Sequence, residues 1–272
     1  MRRLARVTLW AGLLNIGLLT GCDNTQSATA SHLPYKTISY QKQGGKACPT
    51  SEWNADETAL CASVKVLYPQ LDDQSATSQT INRFITEEVL NYESDEGQRP
   101  KTAEELAQFF IKDYQQQPDP VGAWALERTM EVLFANEQLL TLKFSEMNYM
   151  GEAHPAMGQS YYTFNRQTGK PIQLSEVLNA GYETELNVIG EKYFRENRNI
   201  PANQTLEQAG FEFKNGKFEL TDNRGITQEG LVFYFNSYEI APYAVGPTEI
   251  TLPYSAIQNL IRPDGALAAF KH

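Results

Sequence analysis

Trp124 to Met147, WALERTMEVLFANEQLLTLKFSEM, decides how this chain is read. Two apolar-rich runs, Trp124 to Phe134 and Leu139 to Met147, flank the polar stretch Ala135-Asn136-Glu137-Gln138. Strand-type runs on both sides of a short turn predict an antiparallel hairpin. The neighbouring segments have a different period. Upstream, Ile81, Phe84, Ile85 and Val89 recur at helical spacing, so Ser75 to Tyr92 is predicted as an amphipathic helix. Thr102-Ala103-Glu104-Glu105 has the form of a capping box and opens a second helix with Leu106, Phe109, Phe110 and Tyr114 on one face. Thr58 to Tyr68 alternates and predicts a half-buried strand, with Pro69 stopping it.

Downstream, Tyr161 to Asn165 is a further strand and Gln167-Thr168-Gly169-Lys170 a turn. Glu183 to Asn197 returns to helix, with Leu186, Ile189, Tyr193 and Phe194 inward. Asn215-Gly216 splits Phe211 to Leu220 into a predicted hairpin. Leu231 to Phe235 is an unbroken apolar run that suits a central strand. Thr248 to Leu252 is a shorter strand, and Ser255 is placed to cap a last helix. Helices and strands come in blocks, not in βαβ alternation. The expected class is therefore α+β, with antiparallel sheets, packed helices and two small subdomains.

The N-terminus carries an address. Met1 to Arg6 is basic, and Val7 to Thr20 is mostly apolar but only 14 residues long. That falls short of the roughly 20 residues needed to span a bilayer and fits a secretory signal. Leu19-Thr20-Gly21-Cys22 has the pattern of a bacterial lipobox, with the Cys22 thiol as lipid acceptor for acyl chains such as palmitate. The expected organisation is a lipoprotein signal peptide over 1–21, a tether over 22–34 rich in Ser, Thr, Ala, Asn and Gln, an N-terminal subdomain over 35–147 and a C-terminal domain over 148–265. Cys48 and Cys61 then remain as a pair, expected to bridge in an oxidising compartment; two free buried thiols are the alternative. Closing that loop stabilises by about 3 kcal/mol in the chain-entropy model.

The chain has 272 residues, with 23 Lys+Arg against 33 Asp+Glu and a formal charge of −10. That balance argues against nucleic-acid binding, which needs a basic face. Loss of Arg2, Arg3 and Arg6 on processing makes the body more acidic still. A tethered body rather than one adsorbed to anionic headgroups is expected. Three His and three Cys are too few for a multi-ligand zinc site or an iron–sulfur cluster. Asp72 and Asp73 lack a calcium-loop motif, so neither metal nor cofactor is expected.

The C-terminal half carries a family pattern. Tyr149-x-Gly151-x-Ala153-His154-Pro155 is followed by Tyr161-Tyr162-x-Phe164-Asn165, Thr168-Gly169-Lys170 and Leu174. Then come Leu231 to Asn236, Tyr238-Glu239-Ile240-Ala241-Pro242-Tyr243-Ala244-x-Gly246 and Pro253-Tyr254. This order is similar to the extracellular domain of the RsiV anti-sigma factors, which also precedes the catalytic domain of PdaC-type peptidoglycan deacetylases. The resemblance covers residues 145–262, and 35–145 resembles the smaller domain that usually comes before it. It implies a domain that senses lysozyme by binding it. With neither an anti-sigma segment nor a deacetylase domain expected here, sigma-factor control in cis and deacetylation are not implied. Glu152 stands where the family commonly has a second glycine.

These motifs nominate Gly151, Glu152, His154, Tyr238, Glu239 and Tyr243 as binding residues, with no catalytic residue assigned. His154 is either a general base oriented by Glu152 or Glu239, or a residue that fixes a loop by hydrogen bonding and stacking. No nucleophile motif accompanies it, which favours the second role. Tyr234, Tyr238, Tyr243 and Tyr254 are either a carbohydrate platform or core aromatics, and their alternation favours the core. Glu239 is a bonded structural acid or a partner contact. The expected function is a lipid-anchored, non-catalytic envelope protein, facing the periplasm or cell exterior, that binds a lysozyme-like protein or peptidoglycan fragments. The alternatives are an envelope hydrolase using His154, and a structural or assembly lipoprotein with a protein partner.

Overall fold

In a computed structural model the described residues are 33–48, 60–118 and 122–271. The signal segment, Cys22 and the tether up to residue 32 lie outside them. The fold is α+β. Its larger sheet runs in the order β1 (Tyr35–Gly45), β2 (Cys61–Leu71), β3 (Trp124–Ala135), β4 (Leu139–Tyr149) and β5 (Ala156–Asn165). The expected hairpin is β3–β4, turned at Asn136, whose side chain accepts the N–H groups of Gln138 and Leu139 at 2.9 and 2.7 Å. Every neighbouring pair is antiparallel except β2–β3. That pair is parallel because two helices intervene, and parallel strands need a long crossover between them. The expected subdomain boundary at 147–148 falls inside β4.

Pro69 does not stop β2, which runs on to Leu71. The Asp72 N–H donates to the Pro34 carbonyl and the Lys46 N–H to the Leu60 carbonyl, at 3.1 and 3.0 Å. Even-numbered residues of β2 therefore bond β1, and odd-numbered ones face β3. Pairing with β3 ends at Leu67, so the N–H that Pro69 lacks has no partner to lose. Cys48 and Cys61 are bonded, with Cα atoms 4.9 Å apart, closing the β1–β2 connection.

α1 (Ala76–Val89) and α2 (Ala103–Gln116) cover one face of this sheet. Each begins at a side-chain cap: Ser75 accepts the Ser78 N–H and Thr102 the Glu105 N–H, both at 3.1 Å. The box at α2 is shifted by one residue, since Glu105 accepts from the Lys101 N–H and not from Thr102. Ile81, Ile85, Val89, Leu106 and Phe110 pack on Val64, Val66, Leu126, Met130 and Leu142. Full burial of such side chains stabilises by about 1.5–3 kcal/mol each. Two charged residues lie within this layer. Arg128 pairs with Glu146 and donates to the Val89 carbonyl at the end of α1, where the helix dipole favours a cation. Asp113 accepts from the Tyr92 hydroxyl at 2.6 Å and the Asp95 N–H at 3.2 Å, tying the segment after α1 to α2.

The second layer is a three-stranded sheet in the order β6 (Arg224–Ile226), β7 (Gly230–Phe235), β8 (Thr248–Pro253), packed on α4 (Tyr182–Arg198); a single turn, α3 (Leu174–Val177), precedes α4. β7 is central, as its apolar run requires. Phe194 of α4 is enclosed by Phe211, Phe213, Phe218 and Phe235. That enclosure overturns the expected hairpin over Phe211 to Leu220. The segment holds no strand, and Lys214–Gly216 is one 3₁₀ turn with Asn215 at φ 57°. Its backbone bonds elsewhere: the Glu212 N–H donates to the Ile240 carbonyl and the Leu220 N–H to the Asn187 side chain. Nor does Ser255 cap the last turn, α5 (Tyr254–Ile257), which starts directly after Pro253. The two layers meet where the Thr141 hydroxyl donates to the Ile226 carbonyl and Thr163 accepts the Ile226 N–H, at 2.6 and 3.1 Å. A Cβ on Gly225 would sit 3.1 Å from side-chain atoms of both Thr141 and Tyr161, which is why glycine stands there.

Candidate functional site

Two loops leave the sheets on one side of the junction. One follows β4 and spans 150–155; the other follows β7 and spans 236–247. They bring His154, Tyr238 and Tyr243 together. The His154 and Tyr243 rings are stacked, with centroids 3.8 Å apart and planes 9° from parallel. The Tyr238 ring is 5.6 Å from Tyr243, and its hydroxyl is 3.2 Å from His154 Nε2. His154 Nδ1 lies 3.2 Å from the Pro155 carbonyl, which can only accept. Nδ1 is thus placed to donate to that carbonyl, and Nε2 lies within hydrogen-bond distance of the tyrosine hydroxyl. Both ring nitrogens have a partner, one within its own loop and one in the other loop.

The expectation that alternation buries all four tyrosines is corrected in part. Tyr254 is buried and Tyr234 half-buried, but Tyr238 is 65% exposed and Tyr243 lies outside any strand. β7 ends at Phe235, so no pleat turns Tyr238 inward. Tyr238 instead adopts φ 69°, a left-handed conformation that is costly for a bulky residue. Its ring is held outward by that backbone and by His154.

The loops are braced by two of the nominated residues, Glu152 and Glu239, and by Arg198, Asn236 and Asn223, which the sequence reading did not nominate. Glu152 and Glu239 each spend a carboxylate oxygen on their own loop: Glu152 accepts the Met150 N–H at 2.8 Å and Glu239 the Asn236 N–H at 2.9 Å. Both remain exposed beside the rings, as does Gly151, which turns the first loop at φ 93°. Arg198, in the last turn of α4, donates to the Gly246 and Pro247 carbonyls and to Thr248 Oγ1. Burial lowers the pKa of its guanidinium.

Asn236 and Asn223 bind the second layer to β5. Asn236 Oδ1 accepts the Gln159 N–H at 2.8 Å and its amide donates to the Gln159 carbonyl at 3.0 Å. Asn223 accepts the Tyr161 N–H at 2.9 Å and also donates to the Gln159 carbonyl. Two side-chain amides thus do along β5 what a sixth strand would do. Beside them the Tyr161 hydroxyl donates to Glu249, which also accepts from the Gln159 side chain at 3.1 Å. Burial first, and that bond second, push the Tyr161 pKa far above the ordinary tyrosine range. A polar Asn directly after the apolar run of β7 is the one signal of this brace in the sequence.

Elsewhere, a cleft of about 150 Å³ lies between the layers, lined by Phe84, Tyr162, Phe164, Ile172, Leu174 and Arg224. Ligand pockets usually exceed about 300 Å³, so this cleft is small for a ligand site; wider, more open clefts of about 560 and 620 Å³ lie along α4. No group of three or more His, Cys, Asp or Glu among the described residues is arranged to hold a metal, and no helix among them is long and apolar enough to cross a membrane.

Comparison with known proteins agrees with this construction. Residues 175–255 match the family described as "Protein of unknown function (DUF3298)", and residues 55–157 match the family "Deacetylase PdaC". A stretch of 39 residues is 41% identical to immunogenic protein MPB64 of Mycobacterium bovis and to MPT64 of Mycobacterium tuberculosis; it covers 14% of this chain and only 17% of those proteins. A DUF3298-family structure from Bacteroides fragilis superposes with a TM-score of 0.68 at 17% identity, over 89% of this chain and 98% of that one. A second, from Pseudomonas aeruginosa, gives 0.62 at 16% identity, over 86% and 96%. At such identities the likeness speaks for the fold. Taken with the two family matches, which lie side by side along the chain, it places here a domain of the DUF3298/PdaC type.

Proposed function

We propose that the protein is a lipid-anchored, non-catalytic binding protein of the bacterial envelope. In this reading the His154–Tyr238–Tyr243 face recognises a lysozyme-like protein or a peptidoglycan fragment. The observation that carries it is Tyr238: a large ring, 65% exposed, kept outward at φ 69° at a cost the fold sustains. Strained backbone with an exposed aromatic is expected where a partner docks, and Tyr is favoured at such centres. Sugar CH faces stack on rings of this kind. The exposed Glu152 and Glu239 beside them, on a chain of charge −10, complement a basic protein and would speed its encounter. The resemblance to the RsiV sensor domain supports the same ligand classes.

Calorimetry of the protein without its first 21 residues, against lysozyme and against muropeptides at low salt, tests this. Binding to one of the two is expected. Tyr243→Ala should weaken it by at least about tenfold, the loss typical of a central aromatic contact, with the unfolding midpoint little changed. Absence of binding to both would remove the proposal.

A further inference from the structure

β1 is the outermost strand of the large sheet, and its free side differs from its paired side. The bonds from Asp72 to Pro34 and from Lys46 to Leu60 set the parity of the ladder. Even-numbered residues of β1 bond β2, so Tyr35, Thr37, Ser39, Gln41 and Gln43 point their N–H and C=O groups the other way. No described strand lies on that side. The run 35–43 contains neither proline nor glycine, and its register with β2 is unbroken. It lacks the bulges and prolines that commonly blunt an edge.

Charge selects what could add there. From Leu33 to Cys48 the chain has Lys36, Lys42 and Lys46 and no acidic residue, against the acidic balance of the whole. None of the three forms an ion pair with a described residue. A second copy pairing antiparallel about Ser39 would set Lys36 opposite Lys42 of its partner, twice over, and like charges directly opposed are destabilising. An acidic strand in the same place would meet a lysine at both rungs. We propose that the free edge of β1 receives an extended acidic segment of a partner protein as an added strand. Main-chain bonds at the odd residues would supply affinity, and Lys36 and Lys42 would select acidic residues six positions apart. This surface is independent of the aromatic face and goes beyond the binding proposed for it.

The probe is a short capped peptide of alternating Thr and Val carrying Glu at two positions six apart, compared with the same peptide carrying Lys. Hydrogen exchange is followed in the full chain. The Glu peptide should slow the amides of Thr37, Ser39, Gln41 and Gln43, and should bind about fivefold tighter than the Lys peptide, as two exposed charge pairs warrant. The double variant Lys36→Glu/Lys42→Glu should reverse that preference. Gln41→Pro, which removes one outward N–H, should abolish the protection. Equal protection by the two peptides, or none at millimolar concentration, would overturn the proposal. So would protection that rises with protein concentration alone, which marks a second copy, or that follows anionic vesicles but not peptide.

Discussion

The two edges of the large sheet solve one problem in opposite ways. Along β5, both backbone groups of Gln159, the Tyr161 N–H and the Thr163 carbonyl are bonded outward: Asn236 and Asn223 hold Gln159 and Tyr161, and the Ile172 N–H donates to the Thr163 carbonyl. Along β1 the outward groups meet no described strand, and two lysines flank them. The first edge is closed by side chains from far along the chain and serves to fix the loop that carries Tyr238. The second meets no described strand and carries two lysines. Within a single sheet, then, one edge is closed by a few polar side chains while the other has no described partner.

Proline at adjacent positions of β1 breaks the comparison most sharply. Lys42→Pro removes an inward N–H and should cost about 3 kcal/mol or more, read by denaturant unfolding. Next in size, removing both amides from the β5 edge by Asn223→Ala with Asn236→Ala leaves backbone groups of Gln159 and Tyr161 unpaired. It should cost about 3 kcal/mol, the low end of 1–3 for each of the three groups unpaired, since Gln159 is only half-buried. It should also free the 236–247 loop, visible as faster amide exchange at Tyr238 and Glu239.

Tyr161→Phe tests the same edge through pH. The folded-state pKa of Tyr161 is raised, first by burial and then by its bond to Glu249. Its contribution is complete below the unfolded tyrosine value of about 10 and is lost as pH rises above that, because the unfolded chain releases a proton the folded one retains. At neutral pH the variant should lose about 1.5 kcal/mol, the worth of a hydrogen bond to a charged group. Above pH 10 its stability should fall less steeply than that of the wild type, by up to about 1.4 kcal/mol per pH unit. The smallest effect is expected for Gln41→Pro, whose N–H points outward: under about 1 kcal/mol, since no ladder bond is lost.

Much of this architecture is legible from local pattern. Both helices of the first layer and the β3–β4 hairpin are written in spacings of a few residues, and the structure keeps them, with only the Thr102 half of the expected capping box formed as read. β1 escaped that reading because an edge strand shows no apolar alternation: its residues Tyr35 to Gln43 are exposed or half-exposed on both faces. The false hairpin over Phe211 to Leu220 has the complementary cause. Its turn signal is real, but Phe194 recruits the flanking phenylalanines and their backbone bonds go to other segments. At the candidate site, the resemblance nominated His154, Tyr238 and Tyr243, while period alone placed the tyrosines in the core. The brace is a harder case. Asn236 lies 77 residues from Gln159, and no local pattern announces a side-chain amide that substitutes for a strand.

The lone parallel pair, β2 with β3, also has a kinetic consequence. The β1–β2 pair and the β3–β4–β5 meander each join neighbours in sequence and can pair on their own. Joining β2 to β3 must wait until the stretch from Asp72 to Ala123 has collapsed, because its closure entropy precedes any reward. That joint should close late during folding and part early under mechanical load, making the line between Val64 and Leu126 the chain's natural plane of cleavage.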